Sequence, residues 1–282
     1  MAVRRGASLV GLAPLYLESG PLGLRLLPLG IGISDYCDVL IDPNETGVAE
    51  ALMSAIMQVA PWEIFELPDL PSDAAAISLP AAASLMATIS DGNLTPVLPL
   101  PETIENLSET VPRLRLRQLR RARNTAAKRG EVAIVEGDAD NAEALLQDLI
   151  RLHTARWVES GSHGVFADRR VGEFHAAALP GLIAVNLVRL YELMIGDRIA
   201  AVYYGFLYRN WAYAYIGGYE PDFAPESPGT LVMGYAIEQA IKEGAREFHF
   251  LRGEETYKFE WGAQARRNRT RIFARVNTIV SS

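Results

Sequence analysis

Apolar positions along the chain switch between a helical period and an extended one, and the switches mark out its elements. Residues 45–60, ETGVAEALMSAIMQVA, set Val48, Leu52, Ile56 and Val59 on one helical face. Around them, residues 9–17, 24–29, 39–41 and 64–67 are short apolar runs that read as strands. The stretch 68–80, rich in Pro, Asp, Ser and Ala, reads as a connector. Residues 79–90 add a short helix, and LTPVLPLP at 94–101 an extended segment. A boundary near Pro99 to Pro101 gives a first domain over 1–99 and a second over 100–282.

The second domain opens on LSETVPRLRLRQLRRARNTAAKRG. Ser108 as cap, Pro112 in the first turn and Gly130 as stop predict a helix, with Leu116, Leu119, Ala122 and Ala126 as its buried stripe. A strand, EVAIVEG, and two helices at 141–160 and 169–184 follow, the second disturbed at Pro180. Strands at 187–194, 198–208 and 211–218 are joined by short turns at Gly196 and Asn210, which makes them an antiparallel meander. A helix from 228, with Met233, Ile237, Ala240 and Ile241 inward and Gly244 at its end, carries the chain to REFHFL. A crossover helix lets that segment lie parallel to the strand before it. NRTRIFARVN is a last strand, with Arg269, Arg271 and Arg275 on one side, and no internal sequence repeat stands out. At the other end, VRRGAS reads as a hairpin turn whose preceding strand is absent, so the chain is expected to begin inside a fold. The next residues, SLVGLAPLYLES, read as a strand rather than a signal peptide, because Pro14 interrupts the apolar run.

Composition adds bounds rather than detail. The 282 residues, 49% hydrophobic and 22% charged, are enough for one large core or two smaller ones. A net charge of −7 advertises neither nucleic acid nor an anionic membrane as a global partner. The single cysteine, Cys37, excludes an internal disulfide and fits a reducing, cytoplasmic setting. No apolar run reaches spanning length, and four histidines with one cysteine show no metal-ligand spacing. Charge is uneven locally: between Arg113 and Arg129, eight of seventeen residues are basic and none is acidic. That run reads either as a solvated helix face or as a docking surface for a ligand phosphate, an acidic glycan or an RNA acceptor stem; the solvated face is preferred.

Candidate chemistry gathers around the last helix. In SPGTL, the amides of Gly229, Thr230 and Leu231 are orphan donors at a helix start and suit a pyrophosphate, with the Thr230 hydroxyl adding a bond. The ordinary alternative is Ser227 as a cap before Pro228; the surrounding meander favours the phosphate. Gly217 and Gly218 end the preceding strand and allow a bulge that frees backbone groups for a ligand, or simply a turn. RGEETYKFEW follows the last parallel strand, where Lys258 suits an oxyanion or phosphate, Tyr257 can donate a proton to a leaving group and Glu254 can take one from a nucleophile. His153, Arg156 and Trp157 share a helix at spacings of three and four and suit a pocket wall. Taken singly, His153 and His175 also fit structural roles. Asp35 and Tyr36 would lie within reach of a substrate held between two lobes, although turn chemistry explains Ser34-Asp35 equally.

Meander, phosphate-type turn, crossover helix and parallel strand together resemble the GNAT acyltransferase core. LHTARW, EFH, GGYEP, SPGTL and LRGEETYKFEWG, in that order, resemble the CelD/BcsL-type acetyltransferase family, a relative of the FemAB aminoacyltransferases. GISDYCDVLID upstream looks like that family's first-half SDY segment. The resemblance implies an α/β fold: a GNAT-like mixed sheet with flanking helices, preceded by a partial second GNAT-like domain. It also implies acetyl-CoA as co-substrate, an amine or hydroxyl acceptor such as a sugar, and a role for Tyr257-Lys258. The usual GNAT loop opens on Arg or Gln and carries two glycines, whereas here Pro228 lacks an N–H and Glu226 brings negative charge. Aminoacyl transfer from an aminoacyl-tRNA and a non-catalytic glycan-binding scaffold are the alternatives; outside the tRNA reading no nucleic-acid partner is expected.

Overall fold

A computed structural model describes residues 1–276 except Leu22, Ala60, Ser160, Ser162 and His163, and leaves the side chains of Arg156, Val158 and Glu159 undescribed. The elements in chain order are β1 (Ala2–Arg5), β2 (Ser8–Leu12), β3 (Leu15–Gly20), β4 (Gly23–Pro28), β5 (Leu40–Ile41), α1 (Val48–Gln58), β6 (Ile64–Leu70), β7 (Leu85–Pro99), α2 (Arg113–Arg129), β8 (Val132–Glu136), α3 (Ala142–Glu159), α4 (Arg169–Ala184), β9 (Val188–Ile195), β10 (Arg198–Tyr208), β11 (Trp211–Tyr219), α5 (Pro228–Lys242), β12 (Glu247–His249), α6 (Thr256–Glu260) and β13 (Gln264–Arg275). Contacts divide the chain into two units, one of Met1–Thr95 with the chain from Arg266 onward and one of Pro96–Ala265.

In the first unit, β3 and β4 form a hairpin, β4 runs parallel to β6 through α1, and β13 pairs antiparallel with β6. The sheet order is β3-β4-β6-β13-β7, with β1-β2-β5 as a separate small sheet. Leu52 and Ile56 of α1 pack with Trp62, Phe65, Leu67 and Phe273, all fully buried. The strand expected to be absent before VRRGAS is present: Ala2–Arg5 pairs with Ser8–Leu12 across a turn at Gly6. The run 9–17 is two strands, since Ala13-Pro14 interrupts it. The helix expected over 79–90 does not form: residues 79–84 are irregular chain and turn, and β7 begins at Leu85. Its Ala, Leu and Met residues suit a helix, but pairing overrides propensity. The Gly92 carbonyl accepts from Arg267, Asp91 pairs with Arg269, and a Cβ on Gly92 would sit 3.2 Å from the Asn268 carbonyl oxygen. β13 explains why the contact division returns the last stretch to the first unit rather than to the second domain expected from sequence.

In the second unit the sheet order is β7-β12-β11-β10-β9-β8. β9, β10 and β11 are the antiparallel meander, β12 is parallel to β11, and the end of β7 pairs antiparallel with β12. Side chains alternate across the sheet as period two demands. Ala201 and Tyr203 face the core shared with α2 and α5, and Val202 and Tyr204 the core shared with α3 and α4. α2 begins after Pro112 rather than at Ser108, which lies in a preceding 3-10 turn, Ile104–Glu109. α4 runs through Pro180 without a break. The fold is a mixed α/β sheet architecture with flanking helices, as the sequence pattern predicted.

Candidate functional site

The site is built where two neighbouring strands part. β11 and β12 pair at three rungs only: Trp211 with Glu247, Ala212 with Phe248, and Tyr213 with His249. β12 ends there, whereas β11 continues to Tyr219. The chain after β12 turns away through Leu251 and Gly253, whose φ values of 60° and 114° are left-handed. On the other edge of β11 the register slips: Tyr204 faces Ile216 and Gly205 faces Ala214, which leaves Tyr215 as the extra residue of a bulge. The bulge expected at Gly217-Gly218 therefore lies two residues earlier. A cavity of about 330 Å³ lies along the part of β11 that β12 leaves unpaired, walled by Ala214 to Tyr219 of β11, Val202 and Tyr203 of β10, the start of α5, Arg115 of α2, and Tyr257 and Trp261 around α6.

The start of α5 differs in detail from the sequence expectation. Ser227 is left-handed, with φ 53°, and its side chain caps nothing. Its carbonyl accepts from the Thr230 amide at 2.9 Å and the Leu231 amide at 3.2 Å, so two of the three expected donors are spoken for. Among the described residues no acceptor meets the Gly229 amide. A Cβ on Gly229 would meet only Tyr219 Cδ1 at 3.9 Å, so the backbone there is open to the cavity. The Thr230 hydroxyl accepts from Arg115 Nη2 at 3.2 Å.

Arg115 is the site residue that sequence reasoning missed. It is 8% exposed, its guanidinium carbon lies 4.5 Å over the Trp261 ring, and its buried Nε has no partner among the described residues. Nη1 reaches Glu260, itself half exposed, at 3.3 Å. Burial pushes the guanidinium below its ordinary value, partly offset by Glu260, but an arginine stays charged. The signal was legible in hindsight: the buried positions Leu119, Ala122 and Ala126, extended one turn back, land on Arg115. Glu226, whose charge would oppose an anion, is buried and paired to Arg129 Nη1 at 2.8 Å. A buried cation, an open amide and the positive end of a helix thus converge on the cavity, an arrangement able to hold an anion.

The other predicted residues divide. Gly217, Gly218, Ser227, Gly229, Thr230 and Tyr257 line the cavity. Leu231 does not; it is buried in the core shared with α2. Gly218 also meets α3: a Cβ there would sit 2.7 Å from the His153 amide nitrogen. Lys258 lies away from the cavity, 3% exposed, donating to the carbonyls of Leu251 and Arg252 and pairing with Glu255 at 2.9 Å. Glu254 is exposed on the same loop. Trp157 Nε1 donates to His153 Nε2 at 2.9 Å, so the predicted shared face is real for that pair. The side chain of Arg156 is outside the described residues. Phe166 stands against both His153 and His175. His175 Nε2 lies 3.4 Å from the hydroxyl of Tyr215, which does line the cavity. Burial lowers the His175 pKa. Asp35 and Tyr36 belong to the first unit, between β4 and β5, where the Asp35 carbonyl accepts from Asn268 Nδ2 at 3.2 Å.

The profile of the Acetyltransferase (GNAT) domain matches residues 113–259, more than half of the chain. The chain belongs to that family. The match opens at the first residue of α2 and closes within α6, so the GNAT domain holds Arg115, the meander, the bulge and the start of α5. Among solved structures, the chain is similar to FemX (TM-score 0.67, 11% identity, covering 96% of this chain and 86% of that one). It is also similar to L-PGS from Bacillus licheniformis (0.60, 10%, 95% and 82%) and to a tandem GNAT protein from the clavulanic acid biosynthesis pathway (0.50, 14%, 97% and 81%). At these identities the likeness speaks for the fold, which in the last case is two GNAT modules in one chain. No curated protein matches the sequence. Among the described residues of this GNAT protein no helix is long and apolar enough to cross a membrane, and no group of three His, Cys, Asp or Glu could hold a metal ion.

Proposed function

We propose that the protein transfers an acetyl or similar acyl group from acyl-CoA to an amine or hydroxyl acceptor. A sugar precursor is the favoured acceptor, as the resemblance to the CelD/BcsL-type branch suggests. The observation that carries the reading is the meeting of Arg115, the Thr230 hydroxyl and the open Gly229 amide at the mouth of the strand wedge. A pyrophosphate suits that corner, and the bulged backbone of β11 suits the amide-bearing arm of the carrier. A single open amide replaces the several of the usual loop; Arg115 supplies positive charge beside it, and Arg129 answers the charge of Glu226.

In the transfer, the acceptor's lone pair adds to the thioester carbonyl and the carbon–sulfur bond breaks. Tyr257, on the cavity wall, gives its proton to the leaving thiolate and regains one from the acceptor nitrogen or oxygen through water. Direct transfer needs positioning rather than an enzyme-bound acyl group. Lys258 and Glu254 are read as the frame of the loop that holds Tyr257, and His153 and His175 as a wall behind β11.

Titration calorimetry with CoA and acetyl-CoA tests this: binding is expected, weakened about tenfold to a hundredfold in Arg115→Ala, the usual weight of a charge-assisted bond. A folded sample that binds neither ligand at millimolar concentration defeats the reading. The FemAB-like alternative, an aminoacyl-tRNA donor, is supported by the fold likeness to FemX across both units. It predicts turnover with charged tRNA and none with acyl-CoA.

A further inference from the structure

The eight basic residues of α2 fall into two sets. Arg115, Arg123 and Arg129 are engaged, with Thr230 and Glu260, Glu238, and Glu226. Arg113, Arg117, Arg120, Arg121 and Lys128 are exposed, and among the described residues none meets an acidic partner. At 3.6 residues per turn these five fall within an arc of about 100°, opposite the buried stripe, and run about 22 Å along the helix. Three local rules are broken together. Like charges stand at i,i+4 in Arg113/Arg117 and Arg117/Arg121, which destabilises a helix. Arg113 is the first residue, at the positive end of the helix dipole. That end has no side-chain cap and no acidic residue in its first turn. In a chain of net charge −7 such a stripe is not background, and unrelieved local conflict of this kind marks function.

We infer that the outer face of α2 docks the protein on an anionic lipid surface. The cations are mostly arginine, which grips phosphate in a fork and lets its stem lie in apolar surroundings. Leu114, 59% exposed, borders the stripe at its first turn and gives an apolar side chain to insert among headgroups. Nothing aromatic occurs in the helix to stack on bases, as single-stranded RNA would want. Because the five cations share one arc along the helix, those at both ends of the stripe can reach a plane together. The inference stands on the outer face of α2 and does not depend on the chemistry proposed for the cavity.

Co-sedimentation of the full chain with vesicles tests it. Binding is expected to phosphatidylcholine vesicles containing phosphatidylglycerol, not to phosphatidylcholine alone, and should weaken as salt is added. The triple variant Arg113→Gln, Arg117→Gln, Arg121→Gln should lose about a hundredfold, roughly fivefold per cation. Leu114→Ser should lose a few-fold, and Arg169→Gln with Arg170→Gln, exposed cations of α4, should change nothing. The double variant Arg120→Gln, Lys128→Gln gives a second reading should the triple variant fold poorly. The inference is overturned if the wild type ignores the anionic lipid, or if stripe variants with unchanged thermal melts still bind. It is also overturned if a short RNA duplex is bound through the stripe while vesicles are not.

Discussion

Single residues shape the cavity, and those that line it were unevenly legible. Gly229, Thr230 and Tyr257 could be read from sequence because turn residues and tyrosine after a strand carry their chemistry in their identity. Arg115 was passed over, because it is one of seven arginines in a seventeen-residue helix and the stripe that leads back to it through Leu119 stands out only once packing shows which face is buried. Lys258 shows the reverse. Its motif suggested chemistry, yet its amino group is buried under Leu251 and Arg252, holding a turn that needs two left-handed residues. Lys258→Met should therefore cost about 1–3 kcal/mol of stability in denaturant melts, the price of stranding buried carbonyls, with CoA affinity nearly unchanged. An unchanged melt with lost turnover would instead restore a chemical role. His175 is buried among Phe166, Phe174, Tyr204 and Tyr215, and burial lowers its pKa below the ordinary 6.5. The unfolded chain then binds the proton more readily than the folded one. Stability is complete above pH 6.5 and falls as pH drops from there through the folded pKa. His175→Gln should flatten that part of the stability–pH curve; a slope identical to wild type would show that other groups set it.

Elements were legible where period and boundary signals agreed. The meander, α5 and α1 have both apolar spacing and glycine or turn punctuation, and they fall close to where the pattern puts them. β7 is the failure: its first half has few inward residues, and what makes it a strand is the distant β13, which no local pattern can announce. The bulge at Tyr215 was hidden for the same reason, because register belongs to a pair of strands and not to one. The glycine pair beside it has another use. Gly218 is where α3 lies against β11, with Leu152 Cβ only 2.9 Å from where a methyl would go. Gly218→Ala should push α3 outward and cost about 1–3 kcal/mol, as overpacking does. Urea melts measure it, and a neutral result would mean that α3 is free to slide.

The whole molecule repeats one topology without repeating a sequence. In the first unit a hairpin, β3/β4, leads through α1 to β6, parallel to β4; in the second, β10/β11 leads through α5 to β12, parallel to β11. Each parallel strand then gains an antiparallel neighbour from the far side of the chain, β13 beside β6 and the end of β7 beside β12. Sequence could suggest a related first domain but not this exchange, since apolar period constrains faces and leaves residue identity open. The exchange puts a C-terminal side chain at the centre of the N-terminal core. Phe273 is fully buried and stacks on Phe65 at 5.5 Å, while Trp62, fully buried beside them, packs under the Arg275 guanidinium at 4.9 Å. Phe273→Ala leaves a cavity among side chains that have no room to collapse, at a cost of about 3–5 kcal/mol. If each unit keeps its own core, that loss is local. Hydrogen exchange should quicken in α1 and β6, far away in sequence, and stay unchanged in α5 and β10. Equal loss of protection in both units would mean that they unfold as one, and that the division by contacts is not a division in stability.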